Sequence, residues 1–117
     1  MSNILISIPD LMFETRIADA VRKLGHRAET YNAEKIAGAN LIIIGLENNR
    51  NWRAVADNAQ TQIVPILAFA GHTRAELLRE ARNAGCTRVV VNSDISENLP
   101  RLLEETLTTK SPGHEGH

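Results

Sequence analysis

Leu41-Ile42-Ile43-Ile44-Gly45-Leu46 is apolar at every position and holds three β-branched residues in succession. A strand with one wet face alternates apolar and polar residues. An unbroken apolar run of this length is instead a strand buried on both faces, as in the middle of a parallel sheet between two layers of helix. Parallel neighbours need crossover helices, and the sequence supplies helical patterns on both sides of the run. Four further strand-like runs alternate with those patterns: Ile4 to Ile8, Arg27 to Tyr31, Ile63 to Phe69 and Arg88 to Val91. The second of these, with Arg27, Glu29 and Thr30, is the most polar and is expected at a sheet edge.

Between the first two runs Phe13, Ile17, Val21 and Leu24 recur at helical spacing, and Gly25 follows as a stop. From Ala33 to Ala39 only Ile36 is large and apolar, so the second helix has two turns at most. Trp52, Val55, Ala56 and Ala59 predict a helix over Asn51 to Ala59, behind the turn-forming Asn48, Asn49 and Asn51. Thr73 and Glu76 match a capping box, with Leu77, Leu78, Ala81 and Ala84 facing inward until Gly85. A last helix begins near Ser96 and carries Leu99, Leu102, Leu103, Thr106 and Leu107. Pro100 is tolerated in its first turn, where no internal N–H donor is needed.

The 117 residues have room for one domain, expected over 1–109, with Lys110 to His117 a mobile tail because it lacks apolar anchors. Apolar residues at 43% and charged residues at 23% suit a globular chain that folds without disulfide or metal. Thirteen basic and fourteen acidic residues leave a net charge of -1, so no global field draws the chain to nucleic acid or to an anionic membrane. Cys86 has no partner within the chain, and no long apolar span or apolar leader is present; cytoplasmic residence is the expectation.

Three local phrases give these elements a family likeness: Asn40-Leu41-Ile42-Ile43-Ile44, Val64-Pro65-Ile66-Leu67, and Ala81-Arg82-Asn83-Ala84-Gly85-Cys86. In this order and spacing, from Asn3 to Leu107, the chain resembles the CheY-like receiver domain of response regulators. The resemblance implies a three-layer α-β-α sandwich around a five-stranded parallel sheet of order 2-1-3-4-5. It places the reaction centre at the carboxyl ends of strands one and three, the topological switch point.

That centre is degenerate here. An acid pair that holds Mg²⁺ falls on Pro9 and Asp10, so one acid survives. The phosphoacceptor aspartate falls on Gly45, the hydroxyl residue after strand four on Ala70, and the lysine after strand five on Asn92. Phosphoryl transfer depends on a positioned nucleophile and on charge spread over a metal and a fixed cation, and these replacements remove them together. A shift of register at strand three would bring Leu46 or Glu47 to the acceptor position, where Glu47 would mimic a permanently charged aspartate.

The resemblance therefore implies a pseudo-receiver that is no enzyme, uses no cofactor or metal, and works as a regulatory or scaffolding module on an unidentified protein partner. A homodimer through the face of the fourth helix, fifth strand and fifth helix is the other partner expectation. Arg74, Arg79, Arg82 and Arg88 on that face would pair with Glu97, Glu104 and Glu105 across a two-fold axis. The alternative is a small-ligand sensor whose crevice is lined by Asp10, Gly45, Leu46, Glu47, Gly71, His72 and Asn92. Plainer roles weigh against several candidates: Asp10 as a helix cap, His72 as a solvated loop residue, Cys86 as packing, and His114 and His117 as tail residues. Trp52 and Phe13 fall on apolar stripes and read as core anchors, and Asn48, Asn49 and Arg50 form a polar loop over the crevice.

Overall fold

The structure, a computed structural model, describes residues 1–108; the predicted tail from Lys110 to His117 lies outside them. Five strands, β1 (Asn3–Ser7), β2 (Arg27–Thr30), β3 (Leu41–Gly45), β4 (Ile66–Ala70) and β5 (Arg88–Val91), form one parallel sheet of order β2-β1-β3-β4-β5. The polar run is at the edge, as its composition requires.

The unbroken run is β3, and its residues serve two cores in alternation, because successive side chains of a strand point to opposite faces. Ile42 and Ile44 pack with Ile66, Ala68, Trp52 and Val55 under helices α2 (Trp52–Thr61) and α3 (Ala75–Asn83). Leu41 and Ile43 pack with Ile4, Ile6, Leu67 and Leu102 under α1 (Leu11–Lys23), α4 (Asn92–Glu97) and α5 (Leu99–Leu107). Thr106, in the apolar stripe of α5, is buried, and its hydroxyl donates 2.6 Å to the Leu102 carbonyl. Among the described residues no helix is long and apolar enough to cross a membrane.

The segment after β2 is a 3₁₀ helix, Ala33–Gly38, within the expected two turns, with Ile36 its one buried residue; a single apolar anchor cannot hold a longer α-helix. Three boundaries depart from the pattern. The fourth strand begins at Ile66, since Ile63 is exposed at φ 57° and belongs with Val64 to the turn that closes α2. The capping box does not form. Helix α3 starts at Ala75 behind Arg74, whose guanidinium has no acceptor to offer the first N–H groups, while the Arg74 N–H bonds to the Gly71 carbonyl. The last helical stretch is two helices, broken at Asn98, whose side chain donates 2.7 Å to Asp94.

Asp10 is the N-cap of α1, its Oδ1 accepting from the N–H groups of Met12 at 3.0 Å and Phe13 at 3.1 Å. Asp10→Ala is expected to cost about 1 kcal/mol of stability, measured by denaturant unfolding.

Candidate functional site

The ends of β1, β3, β4 and β5 meet at the carboxyl edge of the sheet. Gly45 closes β3 there, in register with Phe69 of β4. It continues the alternation of Leu41 and Ile43, so a side chain at this position would point toward α1. A Cβ built on Gly45 would stand 3.2 Å from Phe69 Cζ and 3.3 Å from Ile8 Cγ1, tighter than ordinary contact. Ile8 is 8% exposed and Phe69 3% exposed. Phe13 seals the other side of Phe69 edge-to-face, with ring centroids 5.3 Å apart and planes at 82°. Hydrocarbon therefore fills the direction in which a residue at 45 would project.

The remaining candidates ring this plug. Ala70 is buried at the end of β4. Asn92 starts α4, half-buried, and its Nδ2 lies 3.8 Å from where a Cβ on Gly71 would stand. Pro9 is exposed, and the Asp10 carboxylate beside it is turned onto the first turn of α1. These residues, with Leu46, Glu47 and Asn48, line a shallow cleft of about 200 Å³. Small-molecule sites usually run from about 300 Å³ upward.

Glu47 spans the cleft. Its Oε2 accepts from the Gly71 N–H at 2.7 Å, and its Oε1 faces the Arg74 guanidinium at 3.5 Å. One carboxylate thereby joins the loop after β3 to the loop after β4. Asn49 makes a second tie: its Nδ2 donates to the Gly45 carbonyl at 2.9 Å and to the carbonyl and hydroxyl of Ser7, each at 3.2 Å. Asn48 carries φ 58°, a left-handed conformation asparagine tolerates, and that bend lets Asn49 turn back over the strand ends.

His72 is exposed on its loop. Among the described residues no group of three His, Cys, Asp or Glu side chains is placed to hold a metal ion. Burial pushes the Cys86 thiol up from 9.0 to about 11. The unfolded chain then loses this proton first, so stability is expected to fall as pH rises from 9 to 11. Thermal melting across that window should show the slope in the wild type and a smaller one in Cys86→Ala.

The charged surface is partly self-satisfied. Arg88 pairs with Glu105 at 3.0 Å, Arg101 with Glu105 at 3.4 Å and Asp94 at 3.7 Å, and Arg53 with Glu80 at 2.9 Å. Arg79, Arg82, Glu97 and Glu104 form no ion pair with other described residues. The Ile8–Phe69 plug, the Ser7–Asn49 tie and the Glu47–Gly71 bond are the features that sequence reading passed over.

No family model matches the chain, and no curated protein matches it. Solved structures do. NtrX from Brucella abortus, in complex with ATP, superimposes over 93% of this chain at 17% identity and TM-score 0.78, and this chain spans only 27% of that protein's length. The chemotaxis response regulator CheY4 of Vibrio cholerae matches over 91% of this chain and 98% of its own, at 17% identity and TM-score 0.73. The receiver domain of Saccharomyces cerevisiae Ssk1, solved with the histidine phosphotransfer protein Ypd1, matches over 90% of this chain and 86% of its own, at 18% identity and TM-score 0.60. With its strand order, two-faced core and switch-point crevice, the chain has the fold of the response-regulator receiver domain.

Proposed function

We propose that the chain is a non-phosphorylatable receiver-like module that acts through protein–protein contacts, in a regulatory or scaffolding role, and is not an enzyme. The observation that carries this reading is Gly45. The position lacks a carboxylate, and a Cβ there would already crowd Phe69 at 3.2 Å and Ile8 at 3.3 Å, so the end of β3 offers a phosphoryl donor no nucleophile. Around it Ala70 offers no hydroxyl and Asn92 no cation, while the one nearby acid of the first loop, Asp10, is spent capping α1.

The shallow cleft and the Glu47 bridge across it favour a contact module over a small-ligand sensor. A receiver fold without acceptor chemistry still presents helices and loops to partners, and the Ypd1–Ssk1 structure is an instance of a receiver domain engaged with another protein. The test is NMR titration of the protein with Mg²⁺ and beryllofluoride. The expected result is no specific change; saturable shifts centred on Gly45 would overturn the reading. A light-scattering mass then separates partner contact from self-association through the face of α3, β5 and α5.

A further inference from the structure

Three hydrogen-bond donors gather at one side of the crevice. Gly71, the first residue after β4, turns its N–H onto Glu47 Oε2 at 2.7 Å. Glycine allows this approach, since a Cβ at position 71 would stand 3.1 Å from that oxygen, tighter than ordinary contact. Asn92 Nδ2 lies 3.8 Å from the same point, so the amide and the carboxylate share one side of Gly71. That amide makes no hydrogen bond with another described residue. The Arg74 guanidinium faces the second oxygen of Glu47 at 3.5 Å.

One backbone N–H, one amide and one guanidinium are suited to an oxyanion, carboxylate or phosphate alike, and here the chain supplies that anion itself. Asp10, the other carboxylate lining the crevice, is turned onto the N–H groups of Met12 and Phe13. Glu47 follows the end of β3 by two residues, so it is held beside the donors at an effective concentration that millimolar anions in solution do not match.

We propose that the Gly71 N–H, the Asn92 amide and the Arg74 guanidinium form an oxyanion seat that the chain fills with Glu47. The crevice is thereby closed to dissolved phosphate and carboxylates, and it takes one only when Glu47 is withdrawn. This rests on the reading above that Gly45 accepts no phosphoryl group: the seat binds an anion without covalent transfer.

The test is an NMR titration of wild type, Glu47→Ala and Glu47→Gln with sodium phosphate and, separately, sodium acetate, without Mg²⁺ and at ionic strength held constant by sodium chloride. Wild type should show no saturable shift up to about 10 mM of either anion. Glu47→Ala should give saturable shifts at Gly71, Arg74 and Asn92, with exchange of the Gly71 amide slowed as the anion binds. Glu47→Gln keeps an acceptor of the same length and carries the test if the alanine variant does not fold; it should bind more weakly than Glu47→Ala and more tightly than wild type. Adding Arg74→Ala to either variant should weaken binding about threefold. Phosphate and acetate bound alike mark the seat as one that takes a carboxylate; phosphate bound alone marks it as a phosphate site. No saturable shift in either Glu47 variant, equal shifts in wild type, or shifts scattered over Arg79, Arg82 and other surface arginines, an adventitious ion only, would overturn the seat. Beryllofluoride shifts at Gly45 in wild type with Mg²⁺ would remove the contact-module reading, while the seat stands or falls on the magnesium-free titrations.

Discussion

Gly45→Asp is expected to destabilise the protein by about 3 kcal/mol or more and to leave it without phosphoryl-acceptor activity. The new Cβ meets Phe69 at 3.2 Å and Ile8 at 3.3 Å, so the ring and the branched side chain must both give way before the carboxylate is placed. The carboxylate is then placed beside Ile8 and Phe69, and Arg74, on the loop after β4, already faces Glu47. A buried charge without a partner is among the few single changes that cost this much. Gly45→Ala separates the two causes, since it adds only the crowding and should cost about 1 to 2 kcal/mol. The measurements are denaturant midpoints for both variants and the beryllofluoride titration repeated on Gly45→Asp. An aspartate variant as stable as the wild type, or one that binds beryllofluoride saturably, would show that the plug yields easily and that only the carboxylate was missing.

The layers of the fold were legible because they rest on periodicity. Leu41 to Ile44 is apolar without a break, which requires helices on both faces, and the alternation inside it assigns Ile42 and Ile44 to one core and Leu41 and Ile43 to the other. The polar Arg27, Glu29 and Thr30 could sit only at an edge. Where apolar character misled, it did so at Ile63, which looks like the start of a strand but takes a left-handed turn residue's place at 66% exposure. Composition cannot show that, because the turn is fixed by Val64 bonding back to Ala59.

The site was legible only as a set of absences. That Gly45 ends the central strand follows from the run itself. What fills its front does not, because Phe69 comes to Gly45 through the β3–β4 register and Ile8 through the path of the chain after β1. The tie from Asn49 to Ser7 joins residues 42 apart in sequence, and no local pattern announces it. Thr73 and Glu76 show the reverse error. Their spacing suits a cap, but the loop after β4 is held at Gly71 by Glu47, and the turn from Gly71 to Arg74 delays the helix by one residue. A short-range signal lost to a long-range hydrogen bond.

That bond is the basis of the second large effect. Glu47→Ala is expected to lower stability by about 2 kcal/mol, because a charged acceptor is removed from a backbone N–H and nothing else on the loop replaces it. The loss should be local in its dynamics: the Gly71 amide, at 2.7 Å from the carboxylate, should exchange with solvent much faster, while amides in β1 and β3 remain protected. Arg74→Ala removes only the partner at 3.5 Å on a half-exposed pair and should cost under about 1 kcal/mol. Glu47→Gln keeps an acceptor oxygen and should fall between. Hydrogen exchange read at Gly71 across the three variants therefore distinguishes a hydrogen-bonded strap from a surface ion pair. If Arg74→Ala opened Gly71 as far as Glu47→Ala did, the guanidinium would be the anchor and the carboxylate its accessory. If neither did, the two loops would be held by packing alone, and the crevice would be free to move in response to a partner.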